Sequence, residues 1–298
     1  MNLNISSPQD QSRNIVVQQL LTELEIGDLQ RLLNEDGIDF LVLKGPHLGN
    51  TVYPDSLDRI YEDLDILVRP EQHIAALAIL SSHGYRTVDP EPNRLETARI
   101  SYHVQLRSPR GLLVELHRHL SRFDRYPVDI EQLFARSVPF RIGGVTAHGL
   151  CPSHLIVQLV IHVLKSYFIV DYKHFLDIAL VTRVELLDWD YIVDLLELSG
   201  AAGGGFYVLM AACKLSNAIV PDEVLERLRP RLIRRAWLDR YITVGTFPIY
   251  SSEGHSRSET QFRLALPLMD RLWSWPVIVW KYATVRFLDY FWLLRSKK

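Results

Sequence analysis

The sequence predicts an α+β protein in two parts. A small mixed β-sheet domain with flanking helices spans residues 15–150, after a disordered polar tail over 1–14, and an all-helical domain spans 151–298. Three observations carry this reading. From Asp39 onward, short apolar runs of strand length alternate with segments of helical spacing. Turn signals at Ser108-Pro109-Arg110-Gly111 and Gly143-Gly144 mark two hairpins. After Pro152 the apolar residues recur at helical spacing alone, which sets the boundary between Gly149 and Pro152.

Taken in order, Ile15–Glu35 carries Val16, Leu20, Leu21, Leu24, Leu29, Leu32 and Leu33 at helical spacing. Gly27 and Asp28 are expected to split it into two helices, with Asp28 as an N-cap. Asp36-Gly37 turns the chain into a buried strand, Asp39–Leu43, closed by Lys44-Gly45 and followed by a short helix through Leu48 and Val52. Asp63–Val68 is a second strand, and Pro70-Glu71 opens a helix that ends at His83-Gly84. Tyr85–Val88 reads as an edge strand, Ile100–Arg107 and Leu112–His119 as one hairpin, and Phe140–Ala147 as another. Helices then follow at Leu155–Phe168, His174–Thr182 and Tyr191–Leu198, with Ala201–Gly205 as a loop.

The chain has 298 residues, 48% of them hydrophobic and 23% charged, enough to bury a real core. A formal net charge of -2 gives no global positive field to recruit nucleic acid. Cys151 and Cys213 stand far apart in sequence, which argues against a zinc ribbon or a redox pair and fits a reducing, cytoplasmic setting. Met1–Asn14 lacks the apolar core of a signal peptide. Lys281, Arg286 and Asp289 interrupt the aromatic stretch Leu272–Leu294, so no transmembrane helix is expected there. Its Trp273, Trp275, Trp280, Tyr290, Phe291 and Trp292 read as core or a partner interface, or alternatively as a membrane-surface contact.

The chemistry centres on Asp63-Leu64-Asp65. Side chains at i and i+2 of a strand share a face, which sets these two carboxylates side by side, Cα atoms about 6.5 to 7 Å apart. Parallel carboxylates repel unless a cation lies between them, and hard oxygen ligands suit Mg²⁺. If the Glu115 strand lies beside them, Glu115 becomes the third carboxylate of a site for two ions, Mg²⁺ or Mn²⁺, about 3.5 to 4 Å apart. Lys44 and Gly45 precede a helix whose opening amides favour an anion, so Lys44 is expected to meet the β- or γ-phosphate of a triphosphate. Arg59 is expected to pair with the same triphosphate.

In this order the motifs resemble a known family. Val42-Leu43-Lys44-Gly45, Tyr53-Pro54, Arg59 and Asp63-Leu64-Asp65-Ile66-Leu67-Val68 are similar to the signature of the bacterial "uncharacterised nucleotidyltransferase" family, within the DNA polymerase β-type superfamily. Gly84-Tyr85, Val114-Glu115-Leu116-His117 and the stretch holding His162, Lys165, Lys173 and Asp177 resemble its later blocks. The resemblance covers roughly residues 37–200 and implies transfer of a nucleoside monophosphate from an NTP, with ATP the first choice. It also implies an unidentified acceptor, with a small molecule, peptide or saccharide intermediate favoured. Gly-Ser is usual in the wider superfamily where Lys44-Gly45 stands, and Trp is frequent in the family where Arg118 stands.

Other readings of the same residues stay open. Glu115, His117 and His119 alternate on one strand face and could form a zinc site; otherwise His117 orients Glu115 or contacts phosphate. His162, Lys165 and Lys173 are either a basic wall over the nucleotide or a satisfied histidine and a surface ion pair, Lys173 with Asp177. Gly203-Gly204-Gly205 is not a phosphate loop, since no Lys-Ser or Lys-Thr follows; it reads as a flexible linker or a tight helix contact. Beyond an active enzyme, the same fold could serve as a non-catalytic nucleotide- or partner-binding protein. A toxin acting on tRNA is a third reading, against which the near-neutral charge counts.

Overall fold

The computed structural model describes residues 8–88, 102–122, 125–184, 187–245, and the single positions 247, 264, 268 and 270. The aromatic stretch Leu272–Leu294 lies outside them. The fold is α+β, with one seven-stranded mixed sheet and ten α-helices among the described residues. Contacts divide the chain into two compact units: Met1–Arg99 with His103–His119 and Asp129–Leu155, and Ile100–Tyr102 with Leu120–Val128 and Ile156–Lys298.

The first unit holds the sheet. Its strands are β1 (Leu41–Val42), β2 (Asp63–Leu67), β3 (Arg86–Thr87), β4 (His103–Arg107), β5 (Leu113–His117), β6 (Val138–Ile142) and β7 (Val145–Gly149), in the order β3-β4-β5-β2-β1-β7-β6. The β2–β5 and β1–β7 pairs are parallel and the other four antiparallel. Alternation sorts the side chains by face. Val42, Leu64, Ile66, Leu106, Val114, Leu116, Phe140, Ile142 and Ala147 go into one core with helices α1 (Pro8–Asn34) and α3 (His73–Ser82). The opposite face is left for polar groups.

Helix α1 is continuous, where the sequence predicted a break at Gly27-Asp28. Glycine in a helix costs about 1 kcal/mol relative to alanine. Ile26, Leu29 and Leu33 flank it and are fully buried, each contributing roughly 1.5–3 kcal/mol, so packing outweighs propensity. Asp28 caps nothing and instead pairs with Arg110 and Arg31. The helix also starts at Pro8, so residues 8–14, expected as part of a tail, are helical. Proline is well suited to a first helical position, where its missing N–H is no loss. Strand β1 is shorter than the Asp39–Leu43 run, and β3 takes the edge position expected of Tyr85–Val88. The short helix after Lys44 is α2 (Gly45–Thr51), and α4 (Ile130–Ala135) precedes β6.

The second unit is helical: most of α5 (Pro152–Lys165), then α6 (Lys173–Val184), α7 (Trp189–Ser199), α8 (Ala202–Ser216), α9 (Asp222–Leu228) and α10 (Leu232–Leu238). Asp188 caps α7, its carboxylate accepting from the Tyr191 amide at 3.0 Å. Gly203–Gly205, expected in a loop, form the first turn of α8. A Cβ on Gly204 would come within 2.7 Å of Leu164 Cδ2, and one on Gly205 within 3.3 Å of Leu196 Cδ1. These glycines let helices approach closely, the tight helix contact that is the other reading of this run. No helix among the described residues is long and apolar enough to cross a membrane.

Candidate active site

The polar face of the sheet gathers its groups by register. Strand β5 runs parallel to β2 with Glu115 opposite Asp65 and His117 opposite Leu67. Strand β4 runs antiparallel to β5 with Gln105 opposite Glu115 and His103 opposite His117. Gln105, Glu115 and Asp65 therefore form one row across three strands. On the other side of β2, the Leu43 amide donates to the Asp65 carbonyl at 2.9 Å, which brings Lys44 to the same end of the sheet.

Asp65 is the hub. Lys44 Nζ donates to its Oδ2 at 2.8 Å, and His117 Nε2 lies 2.7 Å from its Oδ1. His117 Nε2 is also 3.2 Å from Glu115 Oε2, while Gln105 Nε2 donates to Glu115 Oε1 at 2.6 Å. The His103 ring stacks on that of His117, centroids 5.1 Å apart. Asp65 and His117 are buried; Asp63 and Glu115 are partly buried.

The charges are strongly coupled. Burial would raise the Asp65 carboxyl, but the Lys44 ammonium and His117 hold it well below the usual carboxylate range. Glu115 is lowered too: burial and the negative charge of Asp65 oppose the shift, and His117 and His103 prevail. Asp63 goes the other way. Burial, reinforced by Asp65, pushes it up to about 6 despite Lys44. For Lys44, burial alone would lower the ammonium, and Asp65, Asp63 and Glu115 together hold it above its ordinary value.

Ligand atoms of Asp65, Glu115 and His117 all lie within 4.8 Å of one another. Two carboxylates and an imidazole at this spacing fit a small divalent cation. Asp63, on the same face of β2, supplies a further carboxylate beside them.

Other predicted residues sit differently. The backbone at Lys44 has φ 42 and ψ −116, and its ammonium goes to Asp65, a partner the sequence reading did not give it. Gly45 has a packing reason: a Cβ there would meet Tyr61 Cβ at 2.7 Å. Helix α2 is only seven residues long and has Pro46 in its first turn, so one of the amides expected to greet an anion does not exist. Arg59 is buried, with Nη1 donating to the Ile60 carbonyl at 2.7 Å. It lines a cavity of about 260 Å³ with Ile15, Gln18, Tyr61 and Glu62. His162, Lys165 and Lys173 belong to the second unit. There His162 stacks on His174 at 4.7 Å, and Lys165 donates to the Leu120 carbonyl at 3.4 Å. Lys173 lies 3.9 Å from Asp171, whereas Asp177, its expected surface partner, is fully buried.

Sequence reading missed Gln105 and His103. The signal was present: counting back from the Ser108–Gly111 turn, antiparallel pairing sets Gln105 against Glu115 and His103 against His117.

No curated protein matches this chain. Among solved structures, it is similar to the antibiotic-resistance factor ANT(2'')-Ia, with a TM-score of 0.35 and 13% identity over 74% of this chain and 93% of that one. It is also similar to an antigenic nucleotidyltransferase-like protein from Paracoccidioides brasiliensis, with a TM-score of 0.36 and 14% identity over 76% and 96% of the two chains. Likenesses this distant carry no argument about the site. The sequence profile of the uncharacterised nucleotidyltransferases matches residues 7–217, and with that span, which includes every residue of the carboxylate cluster, the chain belongs to this family.

Proposed function

We propose that the protein transfers a nucleoside monophosphate from an NTP to an acceptor, using Asp63, Asp65 and Glu115 to hold divalent metal. The observation that carries the reading is the parallel β2–β5 register, which sets Glu115 against Asp65 and gathers three carboxylates on one sheet face. When bound, Mg²⁺ or Mn²⁺ would neutralise phosphate charge and acidify an acceptor hydroxyl. The chain's own groups do the rest. Gln105 fixes the Glu115 carboxylate by donating to Oε1, which keeps its oxygens aimed without reorganisation. Lys44 fixes Asp65 in the same way. In the metal-free protein burial and Asp65 lift the Asp63 carboxyl to about 6, and a bound cation would favour its charged form. ATP is the first nucleotide to test, and a small molecule, peptide or saccharide intermediate the first class of acceptor.

Incubation with labelled NTPs, Mg²⁺ and fractionated small-molecule extract should give a labelled product and pyrophosphate. Asp65→Asn should reduce the rate at least about 100-fold, the scale expected when a group that stabilises charge at the reacting centre is lost. Undiminished transfer by Asp65→Asn, or in excess chelator, would remove the metal-held mechanism.

A further inference from the structure

Asp65 has both of its carboxylate oxygens engaged. Oδ2 faces the Lys44 ammonium at 2.8 Å and Oδ1 faces His117 Nε2 at 2.7 Å. The Asp65 side chain is 4% exposed and that of Lys44 13%, so this contact is shielded from water. A carboxylate that bridges two metal ions commonly offers one oxygen to each. Here one oxygen already meets a cation supplied by the chain.

We propose that this site takes a single divalent cation, held by Asp65, Glu115 and His117 with Asp63 as a further carboxylate, and that the Lys44 ammonium stands where a second ion would. The inference rests on the nucleotidyltransferase reading above and narrows it to an ion count and a ligand set.

Three observations support it. The first is charge. Asp63, Asp65 and Glu115 ionised carry three negative charges, which one divalent ion and one ammonium balance. A second divalent ion on the Oδ2 side would stand directly beside the Lys44 ammonium, which already meets that oxygen at 2.8 Å. The second is geometry. Ligand atoms of Asp65, Glu115 and His117 lie within 4.8 Å of one another and His117 Nε2 is 2.7 Å from Asp65 Oδ1, whereas Oδ2 meets Lys44. The third is the backbone. Lys44 has φ 42 and ψ −116, outside the regions that favour an L residue. Such a conformation persists only where the surroundings fix it, and here it delivers the ammonium to the carboxylate. An imidazole in the ligand set also widens the range of ions beyond Mg²⁺ towards Mn²⁺.

The test uses the full chain with Mn²⁺ and a non-hydrolysable NTP analogue. The complex is separated from free ligand, and metal and nucleotide are quantified per chain. One manganese and one nucleotide per chain are expected, with pulsed EPR showing nitrogen coupling to the metal that disappears in His117→Gln. Lys44→Met should raise the count to two manganese ions. Two manganese ions per wild-type chain, or a manganese signal without nitrogen coupling, would overturn the inference and leave the nucleotidyltransferase reading standing. Retention of neither metal nor nucleotide would sink both. The wild-type count and spectrum decide the matter even if Lys44→Met does not fold.

Discussion

Asp63 and Asp65 are two residues apart on one strand face, yet their surroundings drive their carboxyls in opposite directions. Asp65 is ionised because Lys44 and His117 reach it; Asp63 is pushed to about 6 because burial and Asp65 act on it with less relief. The two should therefore respond differently to the same change. Asp65→Asn leaves the Lys44 ammonium buried against a neutral amide. Breaking a buried pair from one side typically costs about 3–5 kcal/mol, so a clear loss in urea unfolding is expected, measured without metal at pH 7. For Asp63 the folded carboxyl is raised above its unfolded value. Its contribution to stability is thus fully present below about pH 4 and is lost as pH rises through about 6. At pH 7 the ionised group is a burden, and Asp63→Asn should stabilise the metal-free protein by on the order of 1 kcal/mol while abolishing transfer. Expectations of opposite sign make the pair decisive: two variants of like effect would show that the coupling is not as described.

At the scale of elements, helix α1 and the turn into α2 give contrasting glycine predictions. A Cβ on Gly27 would meet only Val145 Cγ2 at 3.7 Å, an ordinary contact. Gly27→Ala should then stabilise the fold by about 0.5–1 kcal/mol through helix propensity and a less flexible unfolded chain. Gly45→Ala should destabilise by roughly 1–3 kcal/mol, because its Cβ would fall 2.7 Å from Tyr61 Cβ and the backbone has little freedom to give. Since Gly45 follows Lys44, it should also disturb the Lys44–Asp65 contact, and metal affinity should fall with stability. Thermal unfolding of both variants checks the signs.

For the sheet-bearing unit as a whole, three buried histidines set an acid limit. His47, His73 and His154 are 2%, 0% and 1% exposed, and burial lowers each to about 4. His73 spends its Nε2 on the Leu116 carbonyl at 3.1 Å, and its Nδ1, like that of His47, has no hydrogen-bond partner among the described residues to welcome a proton. In the unfolded chain each takes up a proton near 6.5, in the folded chain only near 4. Between those values the unfolded state binds more protons, so stability is full above about pH 6.5 and falls as pH drops towards 4. Each histidine contributes on the order of 1–2 kcal/mol of that loss by pH 5. Urea midpoints at pH 7 and pH 5 should differ accordingly, and His73→Gln should flatten the dependence; a flat wild-type profile would show these rings to be accessible to protons.

Local patterning in the sequence was enough for the α+β class, the two hairpins, the change to helices after Pro152, and the placement of Asp63, Asp65 and Glu115 on strands, because strand period and turn chemistry are properties of neighbouring residues. Three things depended on distant ones. Helix α1 ignores Gly27 because Ile26, Leu29 and Leu33 find a sheet to bury against, and the glycines of α8 are helical because Leu164 and Leu196 press on them. Glu115 faces Asp65, rather than another strand, because β5 enters the sheet parallel to β2, a pairing between segments some fifty residues apart. Lys44 reaches Asp65 because β1 lies on the other side of β2, and a buried ammonium goes to the nearest carboxylate that can offset its lost hydration. Side-chain chemistry is written residue by residue, but the partner that sets each group's charge and direction is chosen only when the strands assemble.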